Sequence, residues 1–206
     1  MTIKAHIRNS FFYRLFFLFT GYISWAKNRF SAPSPHFIKQ ACIIRNSIPN
    51  ATWIETGTYL GQTTKLLSKN GCMVFSLEPE PILFANAESY FRNFKNVEIL
   101  NGTSEEIFPN LLPRISGNVN FWLDGHYSAG ITFRGEQDTP ILDELKNIAK
   151  NLNHFNEVCI MVDDIRCFNP HKAEYSTYPS VNILVSWAQE NSLTWHIEHD
   201  IFVARS

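Results

Sequence analysis

Short apolar runs alternate along this chain with longer segments that repeat their apolar residues at helical spacing. The short runs are rich in β-branched and aromatic residues and end at Gly, Asn or acidic residues, which is typical of strands. The pattern predicts five strands separated by helices, followed by a C-terminal hairpin. The predicted strands are 51–55, 73–78, 96–100, 119–124 and 157–163, the hairpin pairs 193–197 with 200–204, and the main helices are 36–47, 61–70, 81–92, 139–152 and 180–191.

Strands that alternate with helices predict an α/β fold, in which a mostly parallel sheet is covered by helices on both faces. Five alternating strands and the hairpin would form a doubly wound, seven-stranded sheet with an antiparallel edge. The length of 206 residues and the hydrophobic content of 45% fit one globular domain with a substantial core. The four cysteines form no Cys-x-x-Cys pair, which favours reduced thiols in a cytoplasmic protein.

The N-terminal part of the chain has a different composition from the rest. Residues 1–54 contain seven Lys or Arg and no acidic residue, and residues 11–25 are strongly aromatic. We therefore divide the chain into a basic aromatic segment with a linker, 1–35, and a domain, 36–206. Only twelve uncharged positions lie between Arg14 and Lys27, too few to span a membrane. Two interpretations stay open: a helix lying in a membrane interface, or a helix covering one edge of the sheet.

The turn after the first predicted strand is the most informative motif. The strand ends at Glu55, the turn contains Gly57 and Gly61, and the second strand ends at Glu78, 21 positions after Gly57. Glycines let the backbone approach a ligand closely, and an acid after the second strand can accept hydrogen bonds from ribose hydroxyls. The spacing predicts a site for a nucleoside-like cofactor, although the glycine order is not that of dinucleotide-binding proteins.

This motif resembles motif I of class I S-adenosylmethionine-dependent methyltransferases, with Tyr59 in place of their middle glycine. The resemblance implies a Rossmann-like fold and S-adenosylmethionine as the cofactor. Thr58 and Thr63 would bind the cofactor carboxylate, and Ser104 and Glu105 would lie near adenine; their alternative role is a plain helix N-cap with first-turn acids. The implied cofactor-binding residues are Glu55, Gly57, Thr58, Gly61, Thr63, Glu78, Ser104 and Glu105.

A second resemblance concerns the acids that follow the fourth and fifth strands. Asp124 and the pair Asp163-Asp164 match positions that hold magnesium in metal-dependent O-methyltransferases, including a branch that acts on sugar hydroxyls. Mg²⁺ prefers such oxygen ligands. His126 stands where that branch has an acidic base, and a histidine there can still accept a proton near pH 7. Alternatively, His126 is a loop residue that only hydrogen-bonds the backbone.

The sequence thus predicts a cytoplasmic S-adenosylmethionine-dependent O-methyltransferase that acts with Mg²⁺ on a sugar or glycan hydroxyl, as in polysaccharide biosynthesis, with Asp124 and His126 as catalytic residues. No nucleic-acid partner is expected, and residues 1–30 are a candidate peripheral membrane contact. The alternatives are a nucleotide-sugar-dependent glycosyltransferase, a nicotinamide-dependent oxidoreductase and a catalytically silent membrane-associated module.

Overall fold

The structure is a computed structural model that describes residues 11–125 and 139–206. Within these ranges the apolar runs form seven strands, and the segments between them form helices. The strands are β1 (Thr52–Thr56), β2 (Met73–Glu78), β3 (Val97–Asn101), β4 (Gly117–Leu123), β5 (Phe155–Val162), β6 (Thr194–Glu198) and β7 (Ile201–Arg205). The helices are α1 (Phe11–Lys27), α2 (His36–Asn46), α3 (Gln62–Leu67), α4 (Pro81–Phe91), α5 (Ser104–Leu111), α6 (Ile141–Asn151) and α7 (Val181–Glu190).

All seven strands belong to one sheet with the order β3-β2-β1-β4-β5-β7-β6. The first five strands are parallel, and β7 runs antiparallel between β5 and β6. This confirms the predicted Rossmann-like fold with its C-terminal antiparallel hairpin. The strand order reverses between β1 and β4, so a crevice opens there beyond the carboxyl ends of the strands, where ligands bind in sheets of this kind.

Each face of the sheet is buried under its own set of helices. Neighbouring residues on β1 point to opposite sides, because side chains alternate along a strand. Ile54 packs with residues of α5, α6 and α7, whereas Trp53 packs with residues of α2 and α3. Both side chains are fully buried, as expected for a parallel sheet with two covered faces.

The N-terminal helix α1 contacts the C-terminal hairpin. Trp25 lies near the end of α1, and its ring is 5.8 Å from the ring of His199, in the turn between β6 and β7. Its indole N–H also donates to the carbonyl of Ser31 at 2.9 Å. Phe19 and Phe30 remain exposed, at 64% and 53%. In the part of the chain that the structure describes, no helix combines the length and apolarity needed to cross a membrane.

Candidate functional site

The turn after β1 has the close packing that the two glycines predict. Gly57 has a φ of +87° and Gly61 a φ of +70°, the left-handed region that glycine tolerates best. A Cβ on Gly57 would lie 2.6 Å from the carbonyl oxygen of Asp124, and one on Gly61 would lie 2.6 Å from the ring of Phe91. Tyr59 also has a positive φ, +48°, so it adopts a glycine-like conformation where the methyltransferase motif has glycine.

Glu78 lies directly against this turn, at the carboxyl end of β2. Its Oε2 accepts a hydrogen bond from the backbone N–H of Tyr59 at 2.7 Å, and its Oε1 accepts one from the N–H of Glu80 at 3.0 Å. The side chain is buried, and this burial raises its pKa despite the two bonds. The structure therefore brings together the glycine turn and the second acid.

Glu55 lies beneath the turn rather than on its open side. It is fully buried, and its Oε2 accepts hydrogen bonds from the hydroxyls of Thr64 and Ser76, both at 2.6 Å. Burial raises its pKa to about 8, so the carboxyl is protonated at neutral pH. Thr58 joins the same buried network through Ser76, at 2.6 Å, whereas Thr63 is only half-buried. For Glu55, Thr58 and Thr63, contact with a cofactor stays a prediction.

The start of α5 has features of both roles considered for it. Glu106 accepts from the backbone N–H of Thr103 at 3.2 Å in a capping box, so the cap is Thr103 rather than Ser104. Ser104 is buried, and its hydroxyl donates to Oε2 of Glu105 at 3.4 Å; Glu105 itself is exposed. A role for Ser104 and Glu105 near adenine stays a prediction.

Glu144, on α6, is a buried acid at the site that the sequence analysis missed. It is 2% exposed, and no described atom pairs with its Oε1. Burial raises its pKa to about 7. It borders a cavity of about 10 Å³, room for about one water molecule, at the ends of β4 and β5. A signal was present: Glu144 occupies a position of the apolar stripe Ile141, Leu145 and Ile148, where a charged residue is unexpected.

Two of the three predicted metal ligands contact a lysine. The ammonium of Lys39, on α2, is 2.5 Å from Oδ1 of Asp163 and 2.6 Å from Oδ1 of Asp164. Arg166 pairs with Asp164 and with Asp200. Burial raises the pKa of Asp163, and the nearby charge of Asp124 raises it further. The two carboxylates also raise the pKa of Lys39, outweighing its burial, so it is cationic at neutral pH.

These contacts do not fit a carboxylate cluster for magnesium. In residues 11–125 and 139–206, no three His, Cys, Asp or Glu side chains are arranged to hold a metal. The parallel sheet does bring Asp124 near Asp163, as the strand ends predicted, but a lysine contacts the acidic pair. His126 lies outside the described residues. His36, the first residue of α2, is a further histidine near Asp124; partial desolvation lowers its pKa, and Lys39 lowers it further.

No family model matches the chain, and no curated protein matches its sequence. Solved structures do share its fold. The N-methyltransferase NodS from Bradyrhizobium japonicum is 12% identical, with 81% of this chain and 92% of NodS covered and a TM-score of 0.55. NodS in complex with S-adenosyl-L-homocysteine is 11% identical over 81% and 84% of the two chains, with a TM-score of 0.50. SMU.1697c from Streptococcus mutans, in complex with SAH, is 14% identical, with 85% of this chain and 98% of SMU.1697c covered and a TM-score of 0.50. These likenesses show that the chain has the Rossmann-like fold of S-adenosylmethionine-dependent methyltransferases.

Proposed function

We propose that this protein is an S-adenosylmethionine-dependent methyltransferase. The observation that supports it most is the contact between Glu78, at the end of β2, and the turn after β1, the strand beside which the strand order reverses. That place is where a sheet of this class binds its ligand. Structures with the same fold that were solved with S-adenosylhomocysteine also support it.

The described residues fit the cofactor. A carboxylate offers about four acceptor positions, and the backbone N–H donors of Tyr59 and Glu80 use one on each oxygen of Glu78. The remaining positions would hold the ribose hydroxyls. Tyr59, whose backbone N–H donates to Glu78, and its neighbour Leu60 are exposed large hydrophobic residues, as is Ile82, four positions after Glu78. Such residues are expected where an adenine ring would cover them. The bound cofactor would supply an electrophilic sulfonium methyl group.

For the acceptor we propose a sugar or glycan hydroxyl, on the basis of the resemblance of Asp124, Asp163 and Asp164 to the sugar branch. The protein would align the acceptor oxygen with the methyl group, and this alignment would contribute most of the rate enhancement. His126 is our candidate for the base that takes the hydroxyl proton. Replacing it by Ala should lower turnover by about 10²- to 10⁴-fold, whereas a loop residue that only bonds backbone would leave the rate nearly unchanged. Mg²⁺ assistance stays a prediction that the contacts of Lys39 do not favour.

The cofactor class is tested by ligand-dependent unfolding. S-adenosylhomocysteine should raise the melting temperature, because a ligand that binds only the folded state stabilises it by mass action. NADH and a nucleotide sugar, at the same concentration, should leave it unchanged. Stabilisation by either of those and not by S-adenosylhomocysteine would replace the proposal with an oxidoreductase or a glycosyltransferase.

We also propose a peripheral membrane contact through the N-terminal segment. Phe19, Tyr22 and Phe30 are exposed aromatics near the basic residues Lys27 and Arg29. Aromatic rings beside cationic side chains suit the interface of an anionic membrane. The contact of Trp25 with the hairpin would hold this surface beside the domain.

A further inference from the structure

Lys39 is an internal cation that joins the first helix of the domain to the catalytic edge of the sheet. It lies on α2, more than 120 residues from the acids that it contacts, and its side chain is only 12% exposed. Asp163 and Asp164 are 8% and 13% exposed. Such a buried ammonium is costly to place unless its partners compensate its charge.

The ammonium contacts two of the three acids that the sequence resemblance assigns to a metal ion. It contacts one carboxylate oxygen from each of two consecutive aspartates, and both aspartates follow directly after β5. Asp124, after the neighbouring strand β4, interacts electrostatically with Asp163. These are the three acids that the sequence resemblance assigns to Mg²⁺. Carboxylates placed this close together repel one another unless a cation lies among them.

Lys39 also has a donor left for a substrate. An ammonium has three N–H groups, and Asp163 and Asp164 accept from two of them. The third has no partner among the residues that the structure describes. An acceptor with a lone pair, such as a hydroxyl oxygen, could take that hydrogen bond.

We propose that the Lys39 ammonium replaces the divalent cation at this edge, holding Asp163 and Asp164 in place and donating to the acceptor oxygen. This inference rests on the proposed function, because it assigns the acceptor side of the same site. It makes Lys39 a catalytic residue that contacts the acceptor oxygen, and it makes the activity independent of added Mg²⁺.

The test measures cation binding separately from catalysis, with Mn²⁺ as the probe because its unpaired electrons report binding in solution. The wild-type chain should bind no Mn²⁺ at this edge. Lys39→Ala should gain a Mn²⁺ site, at least tenfold tighter than any in the wild type, because it leaves Asp163 without its cationic partner and Asp164 with Arg166 alone. Lys39→Arg keeps the charge and should gain no Mn²⁺ site. The double variant Lys39→Ala/Asp163→Asn should lose the Mn²⁺ affinity that Lys39→Ala gained.

Two results would overturn the inference. One is a stoichiometric Mn²⁺ site in the wild type that Asp163→Asn removes, since the metal would then coexist with Lys39. The other is a folded Lys39→Ala variant that gains no Mn²⁺ affinity. Should Lys39→Ala fail to fold, Lys39→Met retains the apolar stem of the side chain and takes its place, and the wild-type titration decides independently of both.

Binding of S-adenosylhomocysteine is measured on the same samples, which separates this inference from the proposed function. Lys39→Ala should bind S-adenosylhomocysteine within about threefold of the wild-type affinity but lose methyltransferase activity. Lys39→Arg should retain part of that activity. A wild type that does not bind S-adenosylhomocysteine would contradict the methyltransferase proposal, whereas the Mn²⁺ result would remain valid.

Discussion

Gly57 packs against the backbone of Asp124, where a Cβ on Gly57 would lie 2.6 Å from the carbonyl oxygen of Asp124. This contact joins the turn after β1, proposed to hold the cofactor, to the end of β4, proposed to hold the acceptor. The amide of Asp124 also donates to the carbonyl of Thr56 at 3.2 Å, so two backbone contacts fix the distance between the halves of the site.

Gly57→Ala should therefore destabilise the protein and weaken cofactor binding. Gly117 is a matched control, because its φ of +81° resembles the +87° of Gly57 but nothing lies within 4 Å of an added Cβ. Gly117→Ala should cost about 1–2 kcal/mol from the left-handed backbone alone. Gly57→Ala should cost about 1–3 kcal/mol more from overpacking. Chemical denaturation measures both, and equal costs would show that the Asp124 contact is unimportant.

The buried carboxyl of Glu55 should make stability depend on pH. Its ordinary pKa is 4.5, and in the fold it is about 8. Its contribution to stability is therefore full below about pH 4.5 and is lost as the pH rises towards 8, because the unfolded chain releases the proton first. The slope for one such group is at most about 1.4 kcal/mol per pH unit.

Glu55→Gln should remove this slope, since the amide is neutral at every pH and its oxygen can still accept from Thr64 and Ser76. The free energy of unfolding, measured by urea titration from pH 5 to 8, should then fall less steeply than in the wild type. Glu105→Gln is the control, because Glu105 is exposed. Parallel curves for the wild type and Glu55→Gln would mean that Glu55 is ionised in the fold.

The membrane proposal predicts that exposed aromatics hold the protein on anionic vesicles. Phe19→Ser/Phe30→Ser should weaken binding to phosphatidylserine vesicles about tenfold or more, since burying one Phe contributes about 1.5–3 kcal/mol. Binding of the wild type should fall steeply with salt. Leu142→Ser, an exposed apolar position on α6, should change nothing. If the wild-type protein does not bind the vesicles, the membrane proposal is wrong and α1 has only a structural role in packing against the hairpin.

Much of the fold was predictable because strands and helices alternate with clear periodicity. The apolar runs ending at Glu78 and Asp124 also correctly indicated a polar edge, since parallel strands end on one side of the sheet. The packing of α1 was harder to predict. Its aromatics suit either a membrane or a protein surface, and the contact of Trp25 with His199 depends on a residue far along the chain.

Lys39 and Glu144 show where prediction from the sequence ended. Lys39 is one of the seven basic residues of 1–54 and was assigned no role from the sequence; only the three-dimensional fold places it against Asp163 and Asp164. Pairing at such sequence separation leaves no local signal. Glu144 did leave one, a charged residue in an apolar helical stripe, but acids on helices are so often solvated that the pattern did not stand out.

The central claim is tested most directly by calorimetric titration of S-adenosylhomocysteine into the wild type, Glu78→Ala and Glu88→Ala. Glu78 contacts the turn after β1, whereas Glu88 is an exposed glutamate on α4. The wild type and Glu88→Ala should bind equally, and Glu78→Ala should bind about tenfold more weakly, the scale of one lost charged hydrogen bond of roughly 1.5 kcal/mol. A wild type that binds no S-adenosylhomocysteine, or a Glu78→Ala variant that binds it as tightly as Glu88→Ala, would contradict the account.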